Sequence, residues 1–338
     1  MRGEDRAMQL NQKQPRTIVS MTSFPDRMAG LHLTVRSLLE QTVPADLLII
    51  WLAASQFPHG MDDVPESLTA LLSERCVIGW CEDYRSYKKL IPTLLEFPDS
   101  TVITADDDII YEPKLIEKLL RGAEAHPDCV IASRVTKVNR INDVLFVDTG
   151  GCSYWENPSY LNKLVGCAGC LYPPHCLDDE VQNVEAFMSL APTSDDVWFW
   201  LMAAKAATKV YRIADGDWLP RQNPVNSGIK PLSRANDGEL GLFYRHLDNV
   251  RAAYPDINEA LMGEGAGSGI RERDDRGFRV RAGRLSYSMR RLPVLKQAYI
   301  AYLRHKNERL AVSRYNARRM TVLEQKVSES MEAHHDVS

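Results

Sequence analysis

The chain has no run of about 18 consecutive apolar residues, the length a helix needs to cross a bilayer. Its opening residues, MRGEDRAMQLNQKQPR, hold no apolar core followed by a small-residue cleavage site. A spanning helix and a secretory leader are therefore not expected, and a cytoplasmic protein is. Cysteine is sparse: seven residues among 338, odd in number and scattered, which argues for reduced thiols rather than a disulfide framework. There is no internal repeat and no low-complexity tract, so solenoids and extended disordered chains are set aside.

What is present is an ordinary globular composition, 44% hydrophobic and 25% charged, long enough for one large or two moderate domains with a substantial core. The net charge of -4 conceals an asymmetry, because residues 276–338 carry 14 Lys+Arg against 5 Asp+Glu while residues 1–275 carry 27 against 40. In the basic tail, arginines alternate with Leu, Tyr, Val and Ile at roughly helical spacing. That pattern suits an anionic membrane surface or a partner helix, and equally an amphipathic helix packed on its own domain. Nucleic acid is not expected as a partner, since the acidic body would be repelled by phosphate.

Along the body, strand and helix patterns alternate. TIVSMTSF (17–24), LLIIWLA (47–53), CVIGWCE (76–82), TVITA (101–105) and CVIASRV (129–135) read as strands, the second as one buried on both faces. Between them LHLTVRSLLEQT (31–42), PESLTALLSE (65–74), SYKKLIPTLLEF (86–97, interrupted at Pro92) and PKLIEKLLRGAEAHP (113–127) read as helices. This order predicts an α/β fold with a doubly wound, mostly parallel sheet and helices on both faces. The expected divisions are a disordered segment 1–15, a catalytic domain 16–250 in halves 16–135 and 136–250, and a basic helical C-terminal extension 251–338.

The stretch VITADDDIIY places Asp106, Asp107 and Asp108 between two apolar segments. Ligands of such sheets bind beyond the carboxyl ends of the strands, which is where this triplet falls. Carboxylates one residue apart can direct oxygens toward a hard divalent cation, Mn or Mg, that also holds diphosphate oxygens. Without a cation the three charges would repel one another. The alternative is a solvated turn that caps the next helix.

The triplet after a strand resembles the Asp-x-Asp motif of GT-A fold glycosyltransferases, and TIVSMTSFPDR, LHLTVRSLLEQT, CEDYRSYKKLIPTL, LVGCAGCLYPP and PTSDDVWFW resemble bacterial family 2-like enzymes of surface polysaccharide synthesis. The resemblance covers about residues 16–246 and leaves the tail outside. It implies transfer of a sugar from a nucleotide-sugar donor, a UDP-sugar, to a hydroxyl of a glycan or glycolipid acceptor. The basic tail, outside that resemblance, adds the expectation of a peripheral position at the inner face of the membrane.

Under that resemblance Thr22, Ser23 and Arg27 lie at the nucleotide end of the donor site. Asp83 meets the base or ribose, Arg85 and Lys88 meet phosphate, and Asp106 and Asp107 complete the donor contacts. Lys89 is set aside in favour of Lys88, since the two neighbours are not expected to point the same way. Capping by Ser23 or Asp26 and solvated surface lysines remain open alternatives. Asp106 and Asp108 are the expected metal ligands, with His246 as the third ligand or a phosphate contact from a polar loop, 221–247, that can close as a lid, a structural histidine being the alternative.

On the acceptor side Tyr154, Trp155 and Tyr172 are candidate sugar platforms and Gly169 shapes the pocket, with burial in the core as the other fate of the aromatics. Cys167-x-x-Cys170 also matches half of a zinc site. Asp195-Asp196 looks like the acidic pair that supplies the base in inverting GT-A enzymes, with Asp196 as base and Asp195 orienting it. The reverse assignment and simple helix capping stay open. Two other function classes compete: a nucleotidyltransferase or nucleotide-sugar hydrolase on the same sheet, and a noncatalytic carbohydrate-binding protein.

Overall fold

A computed structural model of the chain describes residues 17–141, 144–147, 157–213, 221–226, 242–264 and 315–324. Contacts divide the chain into two units, Met1–Val135 with Glu156–Leu261, and Thr136–Trp155 with Met262–Ser338.

In the first unit, β1 (Thr17–Thr22) leads through a 3₁₀ turn (Pro25–Arg27) into α1 (Met28–Leu39). Then come β2 (Leu47–Ala53), buried at every position, the short α2 (Glu66–Thr69) and β3 (Cys76–Cys81). The helix expected over 65–74 stops early because Ser73 forms a tight bridge with Cys76 that turns the chain into β3. A second 3₁₀ turn (Arg85–Lys89) precedes α3 (Ile91–Glu96). Pro92 sits in the first turn of α3, where its missing N–H costs nothing. β4 (Thr101–Ala105), the two-residue β5 (Ile109–Ile110), α4 (Leu115–Ala125) and β6 (Cys129–Ala132) follow.

β7 (Val135–Ile141) and β8 (Val144–Val147) form an antiparallel hairpin. The remaining elements are β9 (Asn162–Leu164), β10 (Cys170–Tyr172), α5 (Val184–Leu190), α6 (Asp195–Lys205), β11 (Lys209–Arg212), β12 (Arg221–Gln222), α7 (Leu242–Ala253) and α8 (Ile257–Gly263).

The main sheet runs β11-β6-β10-β4-β1-β2-β3. Its pairs are parallel except those of β10, which lies antiparallel between β4 and β6. The segment around Cys170 was expected to be a pocket loop; it is instead a central strand. Side chains alternate across the sheet. Val19, Met21, Ile50, Ile103 and Leu171 pack under α1 and α4 with Leu31, Val35, Leu115 and Leu119. Ile18, Ile49 and Trp51 face the other way. On that opposite side Tyr87 stacks on Phe187 at 4.1 Å and Tyr172 meets Phe199 of α6 edge-on at 6.1 Å. The fold is thus α/β, with a mostly parallel sheet covered on both faces.

Of the basic tail, only 315–324 is described, and it is helical. The 1–15 segment, Tyr154, Trp155 and most of the expected lid lie outside the described residues. No helix among the described residues is long and apolar enough to cross a membrane.

Candidate active site

The acidic triplet occupies the turn between β4 and β5, at the carboxyl end of a central strand. Asp107 points inward and is 5% exposed. Its carboxylate accepts a hydrogen bond from Ser23 Oγ at 2.6 Å and pairs with the guanidinium of Arg27, which also reaches Asp108 Oδ2 at 3.0 Å. Burial pushes the Asp107 carboxyl up to about 6 even though Arg27 and Ser23 act in the opposite direction. Burial and then the neighbouring charge of Asp106 raise Asp108, with Arg27 opposing.

The backbone of the turn is clamped as well. Thr34 Oγ1 and Asn226 Nδ2 donate to the Asp107 carbonyl at 3.1 and 3.2 Å, and the Asn223 N–H donates to the Asp108 carbonyl at 2.6 Å. Tyr111 holds the start of the turn, its hydroxyl accepting the Asp106 N–H at 2.7 Å and donating to the Cys167 carbonyl at 3.2 Å.

The charge balance of the triplet comes from within the protein. Arg27 serves Asp107 and Asp108, and Lys89 serves Asp106, its Nζ lying 2.9 Å from Asp106 Oδ1. The same ammonium lies 2.7 Å from Asp195 Oδ2. Lys89 is 5% exposed, and although burial disfavours its charge, the surrounding Asp106, Asp195 and Asp196 hold its pKa well above the usual lysine range. The expectation that Lys88 rather than Lys89 faces the site is corrected. The 3₁₀ turn rotates neighbouring residues apart, so Lys88 Nζ bonds Asp83 Oδ1 at 2.7 Å while Lys89 enters the acidic cluster. Both lysines are buried, so neither is the solvated surface residue of the alternative reading.

Asp195 and Asp196 open α6. Ser194 stands at the N-cap without a side-chain capping bond. Asp196 accepts the Gly166 N–H with both oxygens, at 3.2 and 3.1 Å. Burial and then Asp195 push the Asp196 carboxyl up to about 6, against the pull of Lys89 and Lys163. Gly166 is needed for this fit, since a Cβ there would lie 2.7 Å from Asp196 Oδ1 and 3.0 Å from Lys89 Nζ. Gly166→Ala is expected to displace both side chains and lower turnover at least about tenfold, with a change in melting temperature of only about 2 °C, since flexible side-chain ends can give way. Steady-state kinetics beside a thermal melt checks this.

The other sequence candidates divide. Thr22 Oγ1 donates to the Trp51 carbonyl of the adjacent strand at 2.8 Å. Asp83, exposed, collects Lys88, Gln56 Nε2 at 2.9 Å and the Arg85 N–H at 3.0 Å. Arg85 has a left-handed backbone, φ 55°, and its guanidinium donates to the Pro192 carbonyl at 3.1 Å just before the acid pair. Ser23, Arg27 and Asp107, expected as donor contacts, are committed to one another inside the fold.

Tyr172 is no sugar platform: it is 1% exposed because β10 is a central strand whose outward residue meets α6. Gly169 has φ 93°, a conformation that disfavours any side chain, and a Cβ there would press on Leu115 at 3.1 Å. Gly169→Ala is expected to cost about 1–3 kcal/mol of stability, read as a lower denaturation midpoint.

His246 is corrected as a third metal ligand. It lies on the buried face of α7 with Phe243, Leu247 and Val250, and no group of three His, Cys, Asp or Glu side chains among the described residues is placed to hold a metal ion. Asp106 and Asp108 remain. Their side chains are 29% and 17% exposed, and each keeps one oxygen outside the ion pairs to Lys89 and Arg27. The charge of Asp106 penalises ionised Asp108, a repulsion a cation would relieve. Two such carboxylates fit a Mg or Mn ion that takes its other ligands from phosphate and water.

No known protein family matches the chain, and no curated protein does either. Among solved structures, S. aureus TarS 1-349 in complex with UDP is 11% identical, with a TM-score of 0.36, over 59% of this chain. The chain spans 58% of the length of that structure. A 4-diphosphocytidyl-2C-methyl-D-erythritol synthase is 11% identical with a TM-score of 0.38, covering 69% of this chain and 99% of that one. A CMP:2-keto-3-deoxy-manno-octonic acid synthetase complexed with CTP is 11% identical with a TM-score of 0.37, covering 59% and 89%. Likeness at this level carries no weight on activity.

Proposed function

We propose that the protein transfers a sugar from a nucleotide-sugar donor, a UDP-sugar, to the hydroxyl of a glycan or glycolipid acceptor, with inversion. The observation that supports this most directly is the convergence on one ammonium, Lys89, of the acidic turn at the sheet's carboxyl edge and the acidic pair that opens α6. A direct displacement needs both: a place for the leaving diphosphate, and a base on the far side of the reacting carbon.

Asp196 is the base. Its carboxyl, pushed up to about 6, is held by the Gly166 N–H, while Asp195 is engaged by Lys89. That division of labour favours Asp196 over the reverse assignment. Asp106 and Asp108 would hold a Mg or Mn ion, which supplies positive charge to the departing diphosphate. Asp83, beyond the end of β3, and Arg85 stand at the periphery for nucleotide contacts. The basic tail is assigned to an anionic membrane surface, on its composition alone.

A nucleotidyltransferase would use the same edge of the sheet, but it has no need of a base with elevated proton affinity on α6. The experiment is a thermal-shift screen of UDP and UDP-sugars with and without Mn, followed by acceptor-dependent release of UDP. Ligand at one hundred times its Kd stabilises by about 2.7 kcal/mol. A shift that requires Mn and is absent in Asp108→Ala is expected. Stabilisation by nucleoside triphosphate with none by UDP-sugars sinks the reading.

A further inference from the structure

We propose that Lys89 is a positioning residue that determines which of the two adjacent acids takes the proton, by engaging Asp195 and leaving Asp196 outside the ion pair, and that it ties this choice to the turn carrying Asp106. The inference rests on the transferase reading for its kinetic consequences, but its electrostatic core concerns the ligand-free chain.

Three observations carry it. First, Lys89 is almost fully enclosed, and its Nζ lies between Asp106 Oδ1 at 2.9 Å and Asp195 Oδ2 at 2.7 Å. A lysine with four rotatable carbons is buried only when its charge is matched, so this placement is specific rather than incidental. Second, the two acids are held by different partners: Asp195 by the ammonium, Asp196 by the Gly166 N–H. The two carboxylates stand at consecutive positions of one helix start and yet face different partners.

Third, the turn that delivers Lys89 is fastened to the approach of α6 along its length. Arg85 donates to the Pro192 carbonyl at 3.1 Å and the Tyr87 hydroxyl to the Ala191 carbonyl at 2.6 Å, so residues 85, 87 and 89 all grip the segment 191–195. The left-handed backbone of Arg85 is the strained point that sets up this grip.

The charged groups that bear on Asp196 are Asp195 on its own helix, Lys89 on the 3₁₀ turn, Lys163 on β9 and Asp106 on the acidic turn. The thiol of Cys170 and the phenols of Tyr87 and Tyr172 also face it, and burial keeps them protonated across the working range. Removing Lys89 therefore removes an influence that favours ionised Asp196, leaving Asp195 and Asp106 to oppose it. Removing the charge of Asp195 at the same time restores the balance.

The test compares wild type, Lys89→Met, Lys89→Arg and the double variant Lys89→Met/Asp195→Asn in the full-length protein. The Asp196 carboxyl titration is followed by carbon NMR of labelled aspartate in metal-free buffer, with Asp196→Asn assigning the signal. Expected is an upward move of at least one pH unit in Lys89→Met, and return to within about half a unit in the double variant. If Lys89→Met unfolds, the double variant against Asp195→Asn alone still measures the Lys89 contribution.

In turnover with a UDP-sugar, Lys89→Met should lower kcat at least a hundredfold with KM for the donor changed less than threefold, and move the acidic limb of the pH profile upward. Lys89→Arg should recover part of it. An Asp196 titration unmoved by loss of Lys89 overturns the inference. A moved titration in a wild-type protein that transfers no sugar keeps the inference and removes the transferase reading instead.

Discussion

Asp196→Asn is expected to reduce turnover by about 10²–10⁴-fold, the usual contribution of a positioned general base, while donor affinity stays within a few fold. The same substitution should stabilise the protein. Asp196 in the folded chain has its carboxyl pushed up to about 6 by burial and by Asp195, whereas an aspartate in the unfolded chain titrates near about 3.9. The raised value means that the folded state binds this proton more tightly. Its stabilising contribution is present below about pH 4 and is lost as pH rises through about 6.

At pH 8 the native protein therefore carries the cost of an ionised, crowded carboxylate, and an amide removes it. The difference from the unfolded value corresponds to about 3 kcal/mol, reduced to about 1 kcal/mol because Asp196 keeps some solvent contact. A melt at pH 8 should show the variant above wild type, and a melt at pH 4 should show no gain. Wild-type turnover should rise with pH through about 6. A variant that loses activity and also stability at pH 8 would place Asp196 among purely structural residues.

Arg27→Met is expected to have the largest effect on stability. Its guanidinium balances Asp107 and Asp108 in an enclosed setting, with side-chain exposures of 11%, 8% and 17%. Removing one partner of a buried ion pair leaves the other charged and unpaired, which costs about 3–5 kcal/mol. For a chain of this size that lowers the melting temperature by roughly 6–10 °C. With Asp107 already pushed up to about 6, loss of Arg27 raises it further, so the deficit should be largest at the alkaline end and shrink as pH falls toward about 6, below which both proteins hold this carboxyl protonated.

The charge-balanced double variant Arg27→Met/Asp107→Asn should recover more than half of the loss. Thermal melts of the three proteins between pH 5 and 8.5 in metal-free buffer decide it. A deficit independent of pH would mean that Arg27 acts through packing on Phe24, over whose ring it sits at 5.4 Å, rather than through charge.

The sheet was readable because its strands announce themselves. LLIIWLA allows no amphipathic reading, and the observed β2 has the bounds the sequence predicts. β10 was not readable: CLY is three residues long and sits among glycines and prolines, so no local period distinguishes a central strand from a loop. The misplacement of Tyr172 follows from that. The acidic triplet and the acid pair were legible as clusters, since like charges at strand ends and helix starts require partners.

Which partners they find was not legible, because sequence does not say how a 3₁₀ turn will rotate Lys88 against Lys89. Tyr111, Gly166, Asn223 and Asn226 gave no signal, because each acts through a backbone group, its own in Gly166 and a partner's in the others, that only the fold brings into reach. The assumption that only an external ion makes the triplet tolerable was incomplete, since Arg27 and Lys89 already offset it.

The clasp made by residues 223 and 226 bears on how the molecule is assembled on the ribosome. Asn226 reaches back 119 residues to Asp107 and 199 to Arg27, and Asn223 reaches 193 to Gly30. Contacts so remote close large loops and come late in folding. A nascent chain that has emerged only as far as residue 220 should already hold its central sheet, yet leave the acidic corner ajar and open to proteases until residues 223 and 226 emerge as well.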